Sequence, residues 1–173
     1  LSLVEKARTC LCLKAKAEGF ASKPTDGEWC ELADRFNLEI SSDDMPNTLF
    51  YAAWLFETMA SLAFLKGTGK TDYAGQVFLP VYHGMTPATT YDVVLVDESQ
   101  DQSFVNRSIA FAYLKPGTGR IIAVGDTNQA IYAWRGADHN AMAEMRAMMI
   151  EHAGTPEEYP LTLCRRCAKS IIA

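Results

Sequence analysis

Two short β-branched runs constrain this chain more than any other feature. VVLV at 93–96 and IIAV at 121–124 are each followed within two residues by an aspartate. Runs of this kind suit strands buried on both faces, as in a parallel sheet covered by helices. Between them, SFVNRSIAFAYL (103–114) reads as a helix capped by Ser103, and PGTG (116–119) reads as a turn. A strand, a helix and a second strand at this spacing predict a βαβ unit with parallel strands. ADHNAMAEMRAMMIEH (137–152) predicts another helix and YPLTL (159–163) a third strand. The second half is therefore expected to be α/β.

The first half reads as helical. Leu3, Val4, Ala7, Cys10, Leu11 and Ala15 recur near a 3.6-residue period over 1–18, and GFASKPTDG (19–27) is a loop. Thr25 and Glu28 have the spacing of a capping box and open a short helix, EWCELADRF. Pro46 suits the first turn of the next helix. Its body, NTLFYAAWLFETMASLAFLK, is apolar on most sides, so it is expected to be buried and to end at Gly67.

With 173 residues and 49% hydrophobic content the chain can bury a core. No charge-free apolar run reaches the ~18 residues that cross a bilayer, and the mixed charges of LSLVEKARTCLCLKAKAEG do not suit a signal peptide. No membrane partner is expected. The net charge of −5 argues against bulk coating of nucleic acid, yet it is unevenly spread. Residues 1–101 carry 8 Lys/Arg against 15 Asp/Glu, whereas residues 102–173 carry 8 against 6. A polyanion should therefore prefer the second part. Cys164 and Cys167 form a C-x-x-C, but Cys10, Cys12 and Cys30 supply no matching pair for zinc and His83, His139 and His152 are scattered. Five cysteines without a secretion signal point to free thiols in a reducing cytosol.

GTGKT (67–71) resembles the end of a phosphate-binding loop. The full G-x-x-x-x-G-K-[ST] pattern needs a glycine where Phe64 stands, and a strand where the pattern here is helical. A helix end at Gly67 followed by a polar turn is the simpler reading, with Lys70 an ordinary surface lysine.

VVLVDESQD (93–101) carries the strongest chemical signal. Ligands of parallel α/β sheets bind at the C-terminal strand ends. Asp97 there can hold Mg²⁺ through its water shell, and Glu98 can accept the proton of an attacking water. The bland alternative is two solvated acids ahead of a helix. The next strand ends in IIAVGDTNQAIYAWRGA (121–137). Gln129 can bond a terminal phosphate or the attacking water. Tyr132, Trp134 and Arg135 follow, the residue types of a stacking platform for single-stranded bases, although Tyr132 and Trp134 also suit a core.

LVDESQD and VGDTNQAIYAWRGA closely resemble motifs II and III of the UvrD/Rep/PcrA-type superfamily 1 DNA helicases, which are ATP-driven translocases on single-stranded DNA. Motif II is typically VDE-[AFY]-QD, with Ser99 in the variable place here. Motif III is typically GD-x-x-Q-x-IY-x-[FW]-RGA, and every fixed position is present. TDYAGQVFLPV (71–81) is similar to the family's helix before motif II. YPLTLCRRCAKSII (159–172) resembles motif IV, commonly L-x-x-NYRS, with Cys164 and Arg165 in place of Asn-Tyr and Arg166 on the motif arginine.

The resemblance implies a partial RecA-like P-loop NTPase core with parallel strands, preceded by a helical accessory subdomain. The implied division is 1–70 for that subdomain, 71–155 for part of the first RecA-like domain, and 156–173 for the start of the second. It implies ATP and Mg²⁺ as cofactors and single-stranded DNA as partner, in DNA repair or replication, in the cytoplasm or at the nucleoid. Asp97 is implied to hold Mg²⁺, Glu98 to activate water, Gln129 and Arg166 to contact the γ-phosphate, and Tyr132, Trp134 and Arg135 to contact DNA. A chain with this motif content but no phosphate-binding loop is expected not to hydrolyse ATP by itself. A non-catalytic nucleic-acid-binding module and the helicase region of a RecB-like recombination nuclease are the alternatives.

Overall fold

A computed structural model describes residues 3, 4, 7, 8, 25–35, 38–41, 43–61, 66, 67, 69–130 and 140–161. Three helices come first: α1 (Asp26–Arg35), α2 (Met45–Ala60) and α3 (Tyr73–Tyr82). Then follow β1 (Val93–Val96), α4 (Phe104–Ala112), β2 (Arg120–Ala123) and α5 (Ala141–Ala153). Single 3₁₀ turns follow each strand, at Ser99–Asp101 and Thr127–Gln129.

Local sequence sets most helix starts. Thr25 and Glu28 close a reciprocal capping box: the Thr25 N–H donates to Glu28 Oε2 at 2.8 Å and the Glu28 N–H to Thr25 Oγ1 at 3.4 Å. Pro46 lies in the first turn of α2, where its missing N–H costs nothing. Asp72 caps α3 by accepting the Gly75 N–H at 2.7 Å, and Ser103 caps α4 by accepting that of Asn106 at 3.3 Å. Leu3, Val4, Ala7 and Arg8 are helical and buried, in line with the period read for 1–18. Cys10, Leu11 and Ala15 lie outside the described residues.

One apolar core joins these elements. Trp29, Leu32 and Ala33 of α1 pack with Ala53 and Phe56 of α2, Phe78 and Leu79 of α3, and Phe104 and Val105 of α4. Trp29 meets Phe56 edge-on with ring centroids 5.9 Å apart, and Phe56 meets Phe78 at 5.4 Å. Such T-shaped pairs add to the stabilisation from burial alone. Arg8 is fully enclosed by this core and clamps Asp72 through two bonds, Nη1 to Oδ2 at 2.8 Å and Nη2 to Oδ1 at 2.6 Å. Its guanidinium also lies 5.7 Å from the Phe78 ring centroid. The N-terminal segment is thereby tied to the start of α3.

Four expectations need correction. The second helix ends at Ala60, not Gly67. The Ala60 carbonyl accepts from His83 Nε2 at 2.7 Å, and Ser61 turns to an extended backbone (φ −71°, ψ 127°). The ring thus takes the acceptor that a continuing helix would use. This helix is also not buried on most sides, since Phe50, Tyr51 and Trp54 are exposed. Lys66 and Gly67 are themselves helical, and Gly69–Thr71 leads directly into the Asp72 cap. Residues 62–65 and 68 lie outside the described residues, so the approach to GTGKT is described only at Lys66 and Gly67.

β1 and β2 pair in parallel, Val93 opposite Arg120 through Val96 opposite Ala123. The expected βαβ unit is present. The strands are not buried on both faces, however. Val94, Val96, Ile121 and Ala123 form a half-buried face, while Val93 (48%), Leu95 (72%) and Ile122 (52%) stay exposed on the other. The expected third strand is not formed at 159–161. That stretch pairs with no strand, and Leu161 is 92% exposed. Residues 162 and 163 lie outside the described residues.

Candidate functional site

The strand ladder continues beyond the last regular residues and brings the two acidic turns side by side. The Val124 N–H donates to the Val96 carbonyl at 2.8 Å, and the Ser99 N–H returns to the Val124 carbonyl at 2.9 Å. Ser99 is wholly buried and its hydroxyl donates to the Val96 carbonyl at 3.1 Å. Asp97 and Glu98 therefore leave β1 beside Gly125 and Asp126 leaving β2. This is the C-terminal edge of a parallel pair, where strand ends present ligand-binding loops.

Both acids are exposed. Asp97 Oδ1 accepts the Glu98 N–H at 2.9 Å, so the first acid fixes the backbone of the second. Glu98 occupies the left-handed region (φ 49°, ψ 46°), the one non-glycine residue to do so among those described. Strained backbone of this sort persists only where its surroundings hold it. Here the buried Gln100 holds it, donating from Nε2 to Glu98 Oε2 at 2.7 Å. The other end of the same carboxamide, Oε1, accepts the Asp126 N–H at 3.0 Å.

Asp126 organises the second turn. Its Oδ1 accepts the Asn128 N–H and its Oδ2 accepts Gln129 Nε2, each at 2.9 Å. The Gln129 amide, aided by the Asn128 N–H, holds the Asp126 carboxyl below its ordinary range. A continuous path thus runs from Glu98 through Gln100 and Asp126 to Gln129. Helix α5 packs against the Ser99–Asp101 turn, with Met142 against Gly125.

Of the residues named from sequence, Asp97, Glu98 and Gln129 share this edge. Tyr132, Trp134, Arg135 and Arg166 lie outside the described residues, as do Cys164 and Cys167. Gln100 was not singled out as a site residue. The only hint lies in its place two residues after an acid at a strand end, and its partner Asp126 is 26 residues away. Among the described residues no group of three or more His, Cys, Asp or Glu could cage a metal ion. A Mg²⁺ ion needs no such cage, because it keeps several waters, and Asp97 is expected to hold it through that water shell. Among the described residues no helix is long and apolar enough to cross a membrane.

No solved structure matches the chain. Among curated proteins, a probable DNA helicase II homolog of Mycoplasma capricolum is 47% identical over 47 residues. That alignment covers 27% of this chain and only 6% of the relative, so the chain spans a small part of that protein's length. Residues 86–149, which hold both strands and both turns, match the family described as the UvrD/REP helicase N-terminal domain. Together with the relative, this match supports the UvrD-type helicase family.

Proposed function

We propose that this chain is part of an ATP-dependent DNA helicase or translocase of the UvrD/Rep type, which couples hydrolysis to movement on single-stranded DNA. The observation that carries the reading is the paired edge just described. It sets Asp97 and Glu98 beside the Asp126–Gln129 turn at the C-terminal ends of two parallel strands. Phosphoryl transfer to water needs a base, a charge-neutralising centre and a group that orients the nucleophile. This edge offers residues of each type.

In this reading Glu98 Oε1 or Oε2 accepts a proton from water as the water oxygen attacks the γ-phosphorus and the bond to the bridging oxygen breaks. Asp97 would hold Mg²⁺, which when bound supplies positive charge at the phosphate oxygens. Gln129 would sense the γ-phosphate by exchanging its bond to Asp126 for one to a phosphate oxygen or to the water. Arg166 would add positive charge to the transferring group. Tyr132, Trp134 and Arg135 begin three residues after Gln129, so a shift of this turn can reach a base-stacking platform with little intervening chain. Residues 1–70 would form a helical accessory part, 71–155 part of one RecA-like domain and 156–173 the start of another.

The test is coupling between ATP and DNA in the full-length gene product. Single-stranded DNA should stimulate phosphate release, and Trp134→Ala should weaken DNA binding about 5- to 150-fold, the equivalent of one lost base stack. Basal turnover without DNA should persist in that variant. A full-length protein with no DNA-stimulated phosphate release would refute the reading.

A further inference from the structure

We propose that Gln100 is a positioning residue that carries movement of the Asp126–Gln129 turn to the Glu98 carboxylate. The inference rests on the function proposed above and goes beyond it, because Gln100 itself contacts no reacting atom.

Three observations converge. First, a carboxamide offers a donor end and an acceptor end, and Gln100 uses one on each turn, Nε2 on Glu98 and Oε1 on the Asp126 N–H. Second, the side chain is only 3% exposed and cannot exchange these partners freely for water. A methyl group at Gly125 would stand 2.6 Å from Gln100 Oε1 and 3.1 Å from its backbone nitrogen, so the turn fits closely against it. Third, the residue it holds is the one with a left-handed non-glycine backbone among those described. When Gln129 leaves Asp126 for a phosphate, the turn loses a bond at Asp126 Oδ2. Any resulting displacement of the Asp126 N–H pulls on Gln100 Oε1, and the rigid amide passes it to Glu98.

A purely structural glutamine, present only to satisfy the Asp126 N–H, makes a different prediction for Gln100→Glu. That variant keeps an acceptor for the Asp126 N–H but sets a carboxylate against Glu98. In the full-length protein it should still fold, with a melting temperature lowered by the carboxylate placed in a buried site. Its kcat for ATP should fall about 10²-fold, the scale of a misplaced catalytic group, while KM for ATP stays within about threefold. In a Glu98→Gln background the same change should cost nothing further, since residues acting as a unit are not additive. A folded Gln100→Glu protein with kcat within about twofold of wild type overturns the proposal.

Should Gln100→Glu not fold, the side-chain amide signals of Gln100 decide the matter by NMR on this 173-residue chain. They should move markedly in Glu98→Ala, and signals that stay in place overturn the proposal. A wild-type protein without ATP turnover would instead remove the underlying functional reading. An active wild type with an unaffected Gln100→Glu removes the role of Gln100 alone.

Discussion

Gln100 and Gly125 are fitted so closely that a Cβ at position 125 would meet Gln100 Oε1 at 2.6 Å and Met142 Sδ at 2.8 Å. The glycine is required here for space, because its φ is not left-handed. Gly125→Ala should therefore force Gln100 or α5 outward. Overpacking of this kind costs about 1–3 kcal/mol, readable by denaturant unfolding of the chain. An alanine variant as stable as wild type would mean that Gln100 and Met142 yield at no cost.

The clamp of Arg8 on Asp72 predicts an acid-sensitive core. Arg8 bonding, followed by the Gly75 N–H, outweighs burial and lowers the Asp72 pKa below its ordinary value. A depressed folded pKa gives stability that is complete above the unfolded value near 3.8 and is lost as pH falls through the folded value. Asp72→Asn should lower the melting temperature at neutral pH and flatten the acid limb below pH ~4. The Asp72 side chain is half exposed, so the loss should be about 1–3 kcal/mol, less than for a fully buried pair. An unchanged acid limb would contradict the clamp.

Much of this fold is legible in local sequence, because caps, turns and β-branched runs act over a few residues. Thr25 with Glu28, Pro46, Ser103 and the strand pair VVLV and IIAV all announce their elements. Features set by distant partners are not legible. The end of α2 depends on His83, 23 residues beyond Ala60, and no glycine or proline marks it. Arg8 meets Asp72 across 64 positions. The run VVLV records apolar character, but the exposure of Val93 and Leu95 depends on what covers the sheet. Likewise YPLTL has strand-like alternation, yet a strand needs a neighbour, and Tyr159 and Leu161 have none to pair with in the sheet described. At the site, Asp97, Glu98 and Gln129 could be named from spacing, whereas Gln100 emerged only when the fold set it against Asp126.

Gln129 should govern the titration of Asp126. Its amide is the largest cause of the lowered Asp126 pKa. Gln129→Ala should raise that pKa toward the ordinary carboxylate value, with the Asn128 N–H leaving part of the depression in place. The carboxyl chemical shift of Asp126 followed through an acid titration measures it. A midpoint unchanged by the substitution would show that Gln129 does not hold this carboxylate in solution.

Glu98→Gln in the full-length protein tests the central claim most directly. The substitution keeps the shape of the side chain and removes its capacity to take a proton. Nucleotide affinity by equilibrium binding and phosphate release in single turnover should be measured on the same preparation. The account predicts binding close to wild type with turnover reduced about 10²- to 10⁴-fold. Turnover within a few-fold of wild type would contradict it, because the acid at the end of β1 would then have no part in the chemistry.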